Sequence, residues 1–570
     1  MSFGTDRRSF MAYFSSLGLS STLFPGVLWG KLQEQKTPAI TKEMLRNSAA
    51  VAGLDFTDRE LEQMLDGVNH NLPRYEALRK IRLDNSVAPP LYFNPVLPGM
   101  SIDRTRQGLR TSPPPRVTRP ENLEDTAFWP VTHLSELIRT QQVKSVELTE
   151  MYLARLKRYN PKLNCVVTLT EDHALGQARE ADQEIAAGRY RGHLHGIPWG
   201  VKDLCAARGY PTTWGAAPFK SRVSNEDSTV VTRMTLAGAV LVAKLATGEL
   251  ALDDVWFGGQ TKNPWDLSMG SQGSSAGPGS ATAAGLVGFS IGTETAGSIV
   301  EPSGICGVTG MRPTFGRVSR HGTMALSWSL DKIGPMCRAV EDCALVLRYA
   351  KGPDGKDLSV QDVPFNWDPT LEVRKLRVGY LKAAFSNTRQ TDQVNANDAA
   401  ALEKLRSLGI SLIEVELPEH SSLDIDMILW GEANAALKDP IQIQPATLVR
   451  QDRVRNQNAV RLLPAQEYLD ANRVRTLLMR EMAHVMSKVD VYVVPFDYSD
   501  YTPNPVASVN TLVTNLTGQP CVVVPHGFNE KGNPTSLTFV GRVFGEAKML
   551  ALAKAYQDST DWHLKHPKLD

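Results

Sequence analysis

GTETAGSIVEPSGICG, residues 292–307, decides how this chain is read. Ser298 stands behind a run of small residues, in a neighbourhood that is polar and nearly uncharged. A surface loop is usually more charged, and a core segment more apolar. A backbone this bare can approach a ligand closely. A serine there is either filler in a turn or a nucleophile waiting for a base.

Two further stretches lie upstream. GSSAGPGSATAAG, residues 273–285, is a second Gly/Ser-rich loop, and GIPWGVKD, residues 196–203, brings Lys202. GSSAG also fits a G-x-S-x-G nucleophile elbow centred on Ser275. An elbow needs a strand immediately before it, and TKNPWDLSMGSQ reads as loop, so Ser275 is not the expected nucleophile. His193 and His195 in GHLHG would share one face of a strand, but no acidic or cysteine partner stands at ligand spacing. No phosphate loop and no HExxH is present.

Taken together and in order, these motifs closely resemble the amidase signature family. That family includes fatty acid amide hydrolase and the glutaminase chain of glutamyl-tRNA amidotransferase, its A subunit. NPWD (263–266), GMRPTFGRVSRHG (310–322), LDKIGP (330–335), LTGQPCVVVPHG (516–527) and LTFVGRVFGEAKMLALAKAYQ (537–557) belong to the same pattern. The resemblance implies an α/β/α sandwich, with a large mixed β-sheet covered by helices on both faces. It implies a serine–cis-serine–lysine triad, with Lys202 as base, Ser274 as bridging serine and Ser298 as nucleophile. The backbone N–H groups of Thr295, Ala296, Gly297 and Ser298 would form the oxyanion hole. It implies neither a metal nor an organic cofactor.

The residue types suit that chemistry. A serine hydroxyl is a poor nucleophile until a neighbour takes its proton. Lysine can do so only when neutral, and burial favours the neutral amine. Asp203 follows Lys202 directly. Adjacent residues of an extended segment point to opposite faces, so Asp203 need not neutralise the base.

The sequence departs from the family pattern in three places. The usual GGSSGGS is QGSSAGPG, stiffened by Pro278. The usual GTDTGGS is GTETAGS, with Glu294 for aspartate and Ala296 for glycine. The usual arginine two residues after the nucleophile is Val300, followed by Glu301. None removes a triad member, but all bear on the shape and charge of the substrate pocket.

The remaining chain sets the frame. The 570 residues carry a formal net charge of +1, with 42% hydrophobic and 22% charged residues, as in an ordinary globular enzyme. No basic field invites nucleic acid. Cys165, Cys205, Cys306, Cys337, Cys343 and Cys521 are scattered and read as reduced, packed thiols. Residues 1–35 contain Arg7 and Arg8 ahead of a mildly apolar run, which resembles a twin-arginine export signal. The expected location is therefore the periplasm or beyond, and otherwise the cytoplasm. Residues 36–83 read as a helical hairpin, with a capping box at Thr57 and Glu60 and a break expected at Pro73. Residues 84–124 form a proline-rich arm, and residues 125–570 alternate helix and strand as the amidase signature domain. Residues 352–370 read as a surface connection. Hairpin and arm resemble the small C subunit of the tRNA amidotransferase.

The reading is an amide hydrolase that cleaves a carboxamide C–N bond through an acyl-serine. Its expected partner is a small-molecule amide, with no nucleic acid and no stable membrane insertion; a homodimer stays open. An alternative is the glutaminase (A) subunit of a glutamyl-tRNA(Gln)/aspartyl-tRNA(Asn) amidotransferase. Against it, AVRLLPAQEYLDANRVRTLL, residues 459–478, lacks the segment that carries the glutamine contact in such glutaminase chains. Arg461, Arg473 and Arg475 could take its place. From a different class, a non-catalytic scaffold would keep the fold alone.

Overall fold

A computed structural model describes residues 40–81, 92–387, 390–438, 445–497 and 504–569. The export signal read in residues 1–35 lies outside them, as do Pro89 and Pro90 of the arm. The chain divides into two compact units, Met1–Ala77 with Arg455–Leu463, and Leu78–Val454 with Pro464–Asp570.

In the first unit, α1 (Lys42–Val51) starts at Thr41, whose hydroxyl accepts the Met44 N–H. The helix α2 (Asp58–Lys80) starts in the expected capping box. Thr57 N–H donates to Glu60 Oε2 at 2.8 Å, and Glu60 N–H donates back to Thr57 Oγ1 at 3.3 Å. The periodic apolar face of α2 packs Leu61, Met64 and Val68 against Leu45 and Ala459. The break expected at Pro73 does not occur, since α2 runs on through it. Proline removes one N–H from the ladder, but buried side chains on both sides of it, Val68 and Tyr75, keep the helix from splitting there.

The second unit is built on one mixed sheet. Its strands are β1 (Val166–Leu169), β2 (Pro198–Lys202), β3 (Val240–Leu245), β4 (Phe289–Glu294), β5 (Thr309–Arg312), β6 (Lys332–Cys337), β7 (Val378–Leu381), β8 (Leu412–Val415), β9 (Val491–Pro495), β10 (Cys521–Phe528) and β11 (Pro534–Gly541). Their order in space is β1-β3-β2-β4-β6-β5-β10-β11-β9-β7-β8. β2 lies parallel to both β3 and β4, and β7 to both β8 and β9, while the central pairs are antiparallel.

The central strands are buried along their whole length, which is why they read as continuous β-branched runs rather than alternating ones. Alternate residues still go to different cores. Leu241 joins one with Trp199, Val493 and Phe539, whereas Val240 and Val242 join another with Leu156 and Ala178. The helices α3 (Ser145–Leu163), α4 (Glu171–Ala186), α5 (Ala276–Ala283), α6 (Val300–Cys306), α7 (Val340–Ala350), α8 (Asp392–Ser407), α9 (Ala465–Lys488), α10 (Pro505–Thr517) and α11 (Glu546–Asp558) cover these faces.

Residues 92–121 form neither helix nor strand and run along the segment 361–368. Arg110 N–H donates to the Trp367 carbonyl at 3.1 Å, and Gln107 N–H donates to Asn366 Oδ1 at 3.1 Å. The segment expected as a plain surface connection is more than that, for it buries Val363, Phe365 and Trp367. These three residues alternate at i, i+2 and i+4, but over only five positions in a segment rich in Gly, Pro and Asp, which reads as a connection. All six cysteines are free and buried. Among the described residues no helix is long and apolar enough to cross a membrane.

Candidate active site

The site grows from two parallel neighbours. β2 and β4 pair with Trp199 opposite Phe289 and Val201 opposite Ile291, so their carboxyl ends emerge at the same edge of the sheet. Ligands of α/β sheets bind at such edges. Lys202 is the last residue of β2. β4 ends at Glu294, and residues 295–299, with Ser298 among them, lead into α6. Ser274 lies just before α5. The residues preceding it, expected as loop, partly pair: Lys262–Asn263 and Asp266–Gly270 form a two-stranded ribbon apart from the main sheet.

Lys202 is fully buried. Its Nζ donates to Ser274 Oγ at 2.8 Å, Ser275 Oγ at 3.0 Å, Thr293 Oγ1 at 2.9 Å and the Thr293 carbonyl at 3.3 Å. Among the described residues no carboxylate touches it. Burial drives its pKa down to about 7, against weaker opposing pulls from Cys205, Asp331 and Glu294. Asp203 is turned away from the amine, as strand geometry requires. Its carboxylate pairs with Lys244 at 2.6 Å and accepts the Thr213 N–H at 2.9 Å, with both charged side chains fully buried. The base therefore sits among neutral oxygens although an aspartate follows it in the chain.

Ser274 is 1% exposed, whereas Ser298 is half-buried. The Ser298 carbonyl accepts the Ser275 N–H at 3.1 Å, which stitches the two Gly/Ser loops together. The Gly273–Ser274 peptide is cis. A Cβ on Gly273 would stand 1.9 Å from the Asp253 carbonyl, so only glycine fits against that backbone. The Lys202–Ser274 leg of a relay is thus formed. Among the described residues no hydrogen bond joins the Ser274 and Ser298 hydroxyls.

The four amides of Thr295, Ala296, Gly297 and Ser298 donate to no acceptor among the described residues. Gly297 has φ +112°, and a Cβ there would lie 2.3 Å from Glu301 Oε1. The loop that carries these amides is held from both ends. Glu294 Oε2 accepts the N–H groups of Ile299 and Val300 at 2.8 and 2.9 Å. Its Oε1 takes Arg312 at 2.7 Å and Asn515 Nδ2 at 2.9 Å. At the other end Lys332 Nζ reaches the Thr295 carbonyl at 3.4 Å and Asn515 Oδ1 at 2.6 Å. Burial would raise the Glu294 pKa, but the Arg312 and Lys332 cations outweigh it and hold the group at about 2. It is therefore an anion at every working pH.

Sequence reasoning noted Glu294 and Val300 only as departures. The structure puts Arg312 from β5 against Glu294, while Val300 is buried. Ser275 and Thr293, both partners of Lys202, were also missed, as were Asn515 and Lys332.

The arginines weighed for carboxylate recognition are occupied. Arg475 is fully buried, donates to the Leu516 carbonyl, Ser329 Oγ and the Ser329 carbonyl at 2.6, 2.8 and 2.9 Å, and stacks on Phe93. Arg473 pairs with Asp470 at 2.8 Å, and Arg461 stacks on Phe56 in the first unit. His193 and His195 lie in a turn rather than a strand, with His195 Nε2 3.2 Å from Glu184. Beside the nucleophile loop, a cavity of about 520 Å³ is lined by Asp253, Asp254, Gln272, Glu301 and Arg450, among others.

Residues 147–550 match the family described as Amidase. The A subunit of the glutamyl-tRNA(Gln) amidotransferase of Roseiflexus castenholzii is 35% identical over 492 residues, covering 77% of this chain and 97% of its own. The corresponding protein of the same name from Marinomonas sp. is 34% identical over 480 residues, covering 77% and 98%. The solved native peptide amidase of Stenotrophomonas maltophilia superposes with a TM-score of 0.70 at 29% identity, over 78% of this chain and 100% of that one.

Proposed function

Because this chain belongs to the amidase family, we propose that it hydrolyses carboxamide C–N bonds through Lys202, Ser274 and Ser298. The observation that carries this reading is the buried Lys202 amine, 2.8 Å from Ser274 Oγ with a pKa of about 7. The neutral amine takes the Ser274 proton while Ser274 takes that of Ser298, and Ser298 Oγ adds to the substrate carbonyl. The amides of residues 295–298 receive the oxyanion. The proton on Lys202 returns through Ser274 to the leaving nitrogen, which departs as the amine and leaves an acyl ester on Ser298. Water, deprotonated by the same route, adds to that ester. Its proton then goes back to Ser298, and the carboxylic acid is released. The free amides and the half-buried Ser298 support this sequence; a scaffold would need neither.

A second reading is the glutaminase component of an aminoacyl-tRNA amidotransferase, and the curated relatives favour it over a free-standing amidase. Both described above carry that name and align over nearly their whole length. The geometry bears on this only through the arginines. Free glutamine is a zwitterion, Arg475 is committed to structural acceptors, and the neighbouring cavity carries both signs, Arg450 beside Asp253, Asp254 and Glu301. Comparing glutamine with neutral aryl or acyl amides at equal concentration, with and without the partner chains of a tRNA amidotransferase, separates the two. Better turnover of neutral amides supports the first reading. A tenfold preference for glutamine, about 1.4 kcal/mol in transition-state binding, establishes the second. Export through Arg7 and Arg8 belongs with the first reading, and lysine at both positions should then keep the protein in the cytoplasm.

A further inference from the structure

A second cavity in the same unit takes no part in the chemistry above. It encloses about 760 Å³ between residues 97–102 of the arm and the C-terminal half of α9. Its walls are apolar at Leu97, Met100, Ile102, Met486 and Val543, and no carboxylate lines it.

Its polar ends are mainly donors. Arg480 is exposed, with no ion pair or hydrogen bond among the described residues. Arg542 is held by the Val489 and Ser487 carbonyls at 2.8 and 3.3 Å, and it shares Asp490 with Arg377 and Lys548, three cations at 3.4–3.6 Å from one carboxylate, so that neighbourhood keeps a positive excess. Gln519 lines the cavity but is only 2% exposed and is held by the Thr517 hydroxyl. Apolar walls bind an apolar body, and a guanidinium without a partner, in a positive neighbourhood, selects a carboxylate over a neutral head.

The geometry points to a binding site here for a small amphiphilic monoanion, a carboxylate carried on a short apolar chain. Its head meets Arg480, and its tail lies along the arm. The site is separate from the Ser298 loop and needs no assumption about the reaction.

Equilibrium dialysis of the full chain against octanoate tests it. The expected result is saturable binding of one octanoate per chain, weakened about tenfold or more by Arg480→Glu and to a lesser degree by Arg480→Gln. Octan-1-ol, with the same tail and no charge, should bind at least about tenfold more weakly. Arg480 makes no contact that folding needs, so both variants should melt like the wild type; the Gln variant decides the matter if the Glu variant does not. Absence of saturable octanoate binding, equal binding by wild type and both variants, or equal binding of octanol would overturn the proposal.

Discussion

The Lys202 amine lies 2.8 Å from the Ser274 hydroxyl, and neither residue is more than 1% exposed. Burial has moved that amine to a pKa of about 7, where proton uptake and release are balanced at working pH. The neutral amine is the active form. Amide turnover should therefore rise between pH 6 and pH 8 with a midpoint of about 7 in kcat/KM. A profile flat across that range, or falling toward alkaline pH, would speak against a lysine base.

The same burial costs stability. A lysine titrating at about 7 when folded and near 10.4 when unfolded binds fewer protons in the native state between those values. The penalty is complete below the folded pKa and fades as pH rises through the unfolded one. Lys202→Met should abolish turnover and yet stabilise the fold at pH 7, by roughly 1–3 kcal/mol once its lost hydrogen bonds are subtracted. The gain should shrink toward pH 10. Denaturant titrations at both values check this, and a variant less stable than wild type at pH 7 would contradict it.

Glu294 holds the nucleophile loop by two N–H groups, while Arg312 faces it at 2.7 Å in a fully buried pair. Glu294→Gln leaves Arg312 without its anion and should cost about 3–5 kcal/mol of stability. The loop would loosen where the oxyanion forms, so kcat should fall by about tenfold to a hundredfold with KM little changed. Steady-state kinetics on the folded variant read this out. A loss confined to KM would place Glu294 in substrate binding instead.

What the sequence showed depended on how local each signal was. Lys202, Ser274 and Ser298 sit in short Gly-rich stretches whose order resembles the amidase signature pattern, and the structure brings Lys202 to Ser274 and the two serine loops to each other. The strands of the sheet were legible because buried β-branched runs such as Val491–Pro495 have no other ready explanation. The clamp on the loop was not. Glu294, Arg312, Lys332 and Asn515 come from four separate segments, and only the folded sheet brings them together. Pro73 misled as a helix end because one missing N–H is a local signal, whereas the packing that keeps α2 continuous is not. Trp367 misled because the alternation of Val363, Phe365 and Trp367 is only five residues long and sits among turn-forming residues.

The central claim is that Ser298 alone becomes acylated, with Lys202 as its base. The most direct measurement is labelling of the full chain with a fluorophosphonate, followed by peptide mapping in the mass spectrometer. The account predicts one adduct, on Ser298, lost in Ser298→Ala and slowed by about a hundredfold or more in Lys202→Ala near pH 7. An adduct on Ser274 or Ser275, or no adduct on active protein, would contradict it.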